Sequence, residues 1–115
     1  MKLRITMFAI LTLFLAMALF GQEYRGTITG RVLDPSGAAV PGAHVNVTNT
    51  ETNTHVTADS NTDGLYTMPY LQPGMYTLRA EHAGFKVFER TPIEVRINAT
   101  VQVDAQLQLG NATET

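Results

Sequence analysis

The sequence predicts an all-β domain, a seven-stranded antiparallel β-sandwich, from three observations. Apolar and polar side chains alternate in several short runs, and turn residues punctuate these runs every eight to twelve positions. Beyond residue 21, no stretch keeps helical periodicity over the ten or more residues a helix needs. Alternation of this kind belongs to strands with one face packed and the other wet.

The segment ahead of the strands differs in kind. Lys2 and Arg4 form a short basic region, and Met7 to Phe20 are apolar except for Thr12. Fourteen such residues suit the apolar region of a secretory signal peptide, whereas a membrane-spanning helix needs about 20. Residues 1–21 are therefore expected to be a signal peptide cleaved after Gly21, with Ala16-Met17-Ala18 as the other candidate step. The domain then spans 22–110, and the polar residues 111–115 form a frayed tail.

Within the domain, Ile28 and Val32 share one face of the first run. Ala43, Val45 and Val47 share the next, opposed by His44, Asn46 and Thr48. Tyr66 and Met68 follow, then Tyr76, Leu78 and Ala80, then Ile93, Val95 and Ile97. The last run carries Val101, Val103, Ala105, Leu107 and Leu109.

The punctuation has its own chemistry. Asp34-Pro35-Ser36-Gly37 suits a type I turn, with Asp capping, Pro presetting φ and Gly closing. Pro41-Gly42 and Pro73-Gly74 suit type II turns, where Gly supplies the positive φ of the third position. Asp63-Gly64 is a hairpin signal.

Composition narrows the function. The chain has 115 residues, enough for one core and too few for two. Loss of the leader leaves six basic against ten acidic side chains, a balance that argues against nucleic acid or an anionic membrane surface as partner. The absence of cysteine removes disulfides, a lipid-modified N-terminal cysteine, a thiolate nucleophile and Cys-ligated metal. Cohesion must come from apolar packing.

Taken in order, residues 26–86 carry a specific series of landmarks: Gly30 and Val32 before Asp34, then Gly37, then Pro41-Gly42-Ala43 with Val45 and Val47. Asp63-Gly64 before Tyr66, Leu71-Gln72-Pro73-Gly74-Met75-Tyr76, and Gly84-Phe85 complete it. This series resembles the carboxypeptidase regulatory-like domain, a transthyretin-like (prealbumin-type) Greek-key sandwich. The resemblance implies a non-catalytic module without cofactor. Such modules stand beside some metallocarboxypeptidases, on bacterial surface proteins, and at the N-terminus of Oar-like TonB-dependent outer-membrane receptors. A leader followed by one such domain looks most like the last setting, in which a plug and barrel would follow Thr115. The chain is then either part of a longer receptor or a module that works alone.

Candidate sites are few. Asp59, Asn61 and Asp63, with Gly64, match the first half of a calcium loop. The twelfth position, which should be a bidentate Glu, is Tyr70, and a hairpin rich in turn-capping residues accounts for the same sequence. His44, His55 and His82 lack metal-ligand spacing. Ser36 and Ser60 sit in turns without a glycine elbow or a His partner.

The 5-hydroxyisourate hydrolases share the transthyretin-like fold, but their C-terminal Tyr-Arg-Gly-Ser signature is missing. Tyr24-Arg25-Gly26 stands at the wrong end and is followed by Thr27. Asn46, Asn98 and Asn111 open Asn-x-Thr triplets, which matter only in a eukaryotic secretory pathway. Tyr66 and Tyr76 fit core positions, whereas Tyr70, Phe88 and Met75 are expected to be exposed ligand-contact candidates.

The function expected is a non-catalytic structural or interaction module of the bacterial envelope, in the periplasm, at the outer membrane or on the cell surface. Its partner would be a neighbouring domain or envelope protein, reached through an exposed strand edge or end loops. A carbohydrate-binding accessory module is the alternative, and a small hydrolase the remote one.

Overall fold

A computed structural model describes residues 1–19 and 25–110. The proposed cleavage point after Gly21, Tyr24 and the tail 111–115 lie outside the described residues. Helix α1 spans Lys2–Leu19. The strands are β1 Gly26–Leu33, β2 His44–Asn49, β3 His55–Asp59, β4 Leu65–Leu71, β5 Gly74–Glu81, β6 Phe88–Val95, β7 Thr100–Gln102 and β8 Ala105–Gln106.

They form two four-stranded sheets. One runs β4-β1-β7, with β8 pairing farther along β1; the other runs β3-β2-β5-β6. Ile28, Val32, Val45, Val47, Leu78, Ala80, Ala105 and Leu107 are sealed completely between them. Burial alternates along β1, β2 and β5, as the side-chain pattern predicts.

Among the described residues, the core cluster lies within residues 28–107, and the apolar side chains of α1 from Leu3 to Leu15 stand in solvent. The described backbone turn and loop bonds of the sandwich close among residues 27–110. Among the described residues, no helix is long and apolar enough to cross a membrane.

The sheets differ from the purely antiparallel expectation at one seam. β1 pairs β4 antiparallel but pairs both β7 and β8 parallel. The chain leaves the edge strand β6, crosses to the other sheet and arrives beside β1 running in the same direction.

The expected long run from Val101 to Leu109 also divides in two. Between β7 and β8, the Arg31 N–H donates to the Asp104 carboxylate at 3.1 Å instead of to a backbone carbonyl, while the Val103 N–H still reaches Thr29 O at 2.8 Å. Here the Val103 carbonyl passes so close to Gly30 that a Cβ on that residue would lie 1.9 Å from its oxygen. Gly30 is what lets the seam close.

Two further differences concern strand limits. β6 ends at Val95, and Ile97 falls in a turn closed by Ala99 N–H to Arg96 O at 3.2 Å, leaving Ile97 exposed. Leu109 makes only an isolated bridge to Phe85 and is exposed too. β3 itself escapes the alternation reading because its side chains are almost all exposed, so there is little apolar face to detect.

The turns follow their chemistry, with one exception. Asp34 Oδ1 accepts from the Ser36 N–H (2.9 Å), the Ser36 hydroxyl (2.6 Å) and the Ala38 N–H (3.0 Å), and Gly37 has φ +87°. The Ser36 hydroxyl first, then the backbone N–H groups, hold the Asp34 carboxyl below its ordinary value. Gly42 has φ +72°, as a type II turn requires. Gly74 does not repeat that device: its φ is +156°, and it already pairs with Val95 as the first residue of β5.

Candidate functional site

The polar residues nearest to chemistry are used by the fold. Ser60 is buried; its hydroxyl donates to Val40 O at 2.6 Å and accepts from the Ala43 N–H at 2.8 Å. It thereby fastens the Pro41-Gly42 turn to the end of β3. Asn49, also buried, accepts from the N–H groups of Glu51 (2.9 Å) and Thr52 (3.1 Å) and caps the β2–β3 turn. Sequence reasoning missed Asn49. Its signal was an Asn two residues before a Glu-Thr-Asn turn, but burial is what distinguishes it from the other Asn and Thr residues nearby.

The calcium-loop candidates are arranged as a hairpin. Asn61 Oδ1 accepts from the Asp63 N–H (2.9 Å) and the Leu65 N–H (3.0 Å), and Gly64 adopts φ +75°. Asp59 faces the other way across the sheet, with Oδ1 3.0 Å from His44 Nδ1. Among the described residues, no three His, Asp or Glu side chains gather as a metal would require. His82 sits edge-on to Phe85 at 5.8 Å, and His55 lies exposed on β3.

Tyr66 is the most perturbed titratable group, and it too is structural. Its hydroxyl donates to Val103 O across the β1–β8 seam. Burial, and secondarily the Asp104 carboxylate, push its ionisation well above the ordinary tyrosine value, with Arg90 opposing.

The aromatic candidates are not assembled into one platform. Tyr70 is 67% exposed, at φ +61° near the end of β4, beside a groove of about 230 Å³ lined by Thr54, Val56, Leu71, Gln72 and Tyr76. Phe88, expected to be exposed, is half-buried and packs on the core, because it pairs with Ala80 of the sealed strand β5. Met75 lies elsewhere, with Ile97, Glu51 and Arg96 around a shallow groove of about 590 Å³. What the described surface offers is strand edges and shallow open grooves.

Such a two-sheet sandwich, with its inner side chains spent on cohesion and its buried polar groups on turns, is that of a transthyretin-like module. The family model of the carboxypeptidase regulatory-like domain matches residues 27–108, and the chain belongs to that family. It is 39% identical over 92 residues to the TonB-dependent transporter Oar of Myxococcus xanthus, covering 78% of this chain and 8% of that protein.

Solved structures at low identity share the fold, and three illustrate it. One is a minor pilin of Streptococcus agalactiae, with TM-score 0.64 and 13% identity over 82% of this chain and 48% of the pilin. A candidate carbohydrate-binding protein of Bacteroides uniformis has TM-score 0.59 and 22% identity, over 76% and 42% of the two chains. The catechol 1,2-dioxygenase of Pseudomonas arvilla has TM-score 0.61 and 10% identity, over 79% and 54%. Binding proteins and enzymes alike use this scaffold, so function has to be read from sites.

Proposed function

We propose that this chain is an exported, non-catalytic module at the N-terminus of a TonB-dependent outer-membrane receptor, acting through contacts with neighbouring envelope domains. The observation that carries the proposal is the 39% identity to the Oar transporter over most of the sandwich. The basic residues and apolar run within residues 1–21 support export, and α1, with its exposed apolar side chains, is the form a leader takes.

Two experiments test this reading. Expressed with a C-terminal tag in a Gram-negative host, the chain should be recovered from the periplasm with Gln22 as its first residue; cytoplasmic protein retaining Met1 refutes export. Replacing the matched stretch of the Myxococcus transporter with residues 27–108 should preserve its outer-membrane assembly and transport, and loss of either counts against the receptor setting.

The Tyr70 groove, together with the likeness to a candidate carbohydrate-binding protein, favours a second reading as a glycan-binding module. Titration with a panel of neutral sugars, followed by tyrosine fluorescence, should then show saturable binding that Tyr70→Ala abolishes. A flat response up to millimolar sugar removes that reading.

A further inference from the structure

A β-sandwich has four open edges, and three of them here carry devices that block strand pairing. β6 contains Pro92 and a register shift against β5. β4 contains Pro69, followed by Tyr70 at φ +61°, with a shift in its pairing to β1. The remaining edge is broken between β7 and β8. Prolines, bulges and interruptions are the usual protection of a free edge.

β3 has none of them. It reads His55-Val56-Thr57-Ala58-Asp59, without proline, glycine or lysine, and its five-residue register against β2 is unbroken.

The ladder fixes which backbone groups are free. Asn49 N–H bonds Thr54 O at 2.8 Å, and Ser60 N–H bonds Ala43 O at 2.9 Å. Antiparallel ladders alternate, so Val56 and Ala58 spend their N–H and C=O groups on β2, while those of His55, Thr57 and Asp59 point away from the sheet. These outward groups form a template for one more antiparallel strand.

The sequence of β3 also complements itself. Laid antiparallel on a second β3 with Thr57 on the two-fold axis, His55 stands opposite Asp59 of the other copy, and Val56 opposite Ala58. Of the three outward-facing cross-strand pairs, the two that flank Thr57 on Thr57 then join a histidine to a carboxylate. Each Asp59 would sit between its own His44, already 3.0 Å away, and the incoming His55. On the inner side, the exposed apolar side chain of Val56 on β3 lines the same groove as Tyr70 of β4.

We infer that β3 is a self-association edge: two copies pair through residues 55–59 in antiparallel register about Thr57, joining their β3-β2-β5-β6 sheets into one eight-stranded sheet. An isologous contact of this kind closes on itself and does not propagate. The inference goes beyond the receptor reading and holds whether or not that reading does.

The test uses the chain from Gln22 onward, which holds every described core residue of the sandwich. Sedimentation velocity from about 10 µM to about 1 mM, the span of weak edge-mediated association, should show the mass doubling. Thr57→Pro removes an N–H that β2 does not use, so it should abolish the doubling and leave the melting temperature unchanged.

Thr57→Cys gives a direct reading, because the chain has no other cysteine. Cα atoms of a directly opposed, hydrogen-bonded pair are about 5.5 Å apart, within disulfide reach. Mild oxidation should convert most of the Thr57→Cys protein to a covalent dimer, at least tenfold faster than Thr91→Cys on the β6 edge. A monomer at every concentration, or equal cross-linking at the two positions, overturns the proposal. Cross-linking of Thr57→Cys in cells to a different envelope protein, with no self-linked product, overturns it in favour of a heterologous strand.

Discussion

Substituting Phe for Tyr66 removes one atom from the seam where the first and last strands meet. The hydroxyl is buried, and its hydrogen bond reaches the Val103 carbonyl, which packs against Gly30. Losing it leaves a buried acceptor without this partner, which costs about 1–3 kcal/mol. In a domain of this size, each kcal/mol moves the melting temperature by roughly 4–8 °C, so the variant should melt about 5–20 °C lower.

A second signature separates this bond from mere packing. The folded Tyr66 keeps its proton above the ordinary value of 10.0, so the unfolded chain ionises first as pH rises. Stability from this group is complete below pH 10 and declines above it, by about 1.4 kcal/mol per pH unit. Tyr66→Phe lacks that loss. In urea denaturation at pH 8 and pH 11, the gap between parent and variant should therefore narrow by about 1.4 kcal/mol at the higher pH. Equal stability at pH 8, or a gap that stays constant to pH 11, would refute the argument.

Gly30→Ala sets a Cβ against the Val103 backbone rather than against a flexible side chain. It should destabilise by more than about 4 kcal/mol, measured by urea unfolding, and a variant that melts with the parent would show the seam register to be wrong. Leu78→Ala opens a cavity where β5 passes between Val47 of β2 and Arg90 of β6, and should cost about 2–5 kcal/mol by the same measurement. Asp34→Asn addresses the acid limb. Because the folded carboxyl is held below 3.8, its contribution is present above that pH and lost as pH falls through the lower folded value; thermal melts from pH 5 to pH 2 should be flatter in the variant than in the parent.

Much of this architecture was legible because strands with one wet face write their burial into every second residue. Ile28 and Val32, the Ala43-Val45-Val47 row and the Tyr76-Leu78-Ala80 row all point inward as read. Turn chemistry was legible for the same local reason: Asp34, Gly37, Gly42 and Gly64 act through their own backbone. What failed depended on partners distant in sequence. The break at Asp104 exists because the Arg31 N–H, 73 residues away, takes a carboxylate as its acceptor. Phe88 is half-buried because Ala80 lies beside it. β3 escaped notice because an edge strand with exposed side chains leaves little alternation, and its significance lies in backbone direction, which side-chain identity does not encode. Ser60 looked like an idle hydroxyl and is a buried fastener.

The seam has a mechanical consequence. Thr27, near the start of β1, lies beside Thr100 at the start of β7, while β8 runs alongside the far end of β1 at Leu33. The polypeptide thus enters the sandwich at one end and leaves at the other, along two strands that point the same way. Tension between those two points would drag β1 and β7–β8 past each other lengthwise, straining their hydrogen bonds together instead of opening them one at a time. A unit threaded in this manner resists being pulled apart along its length.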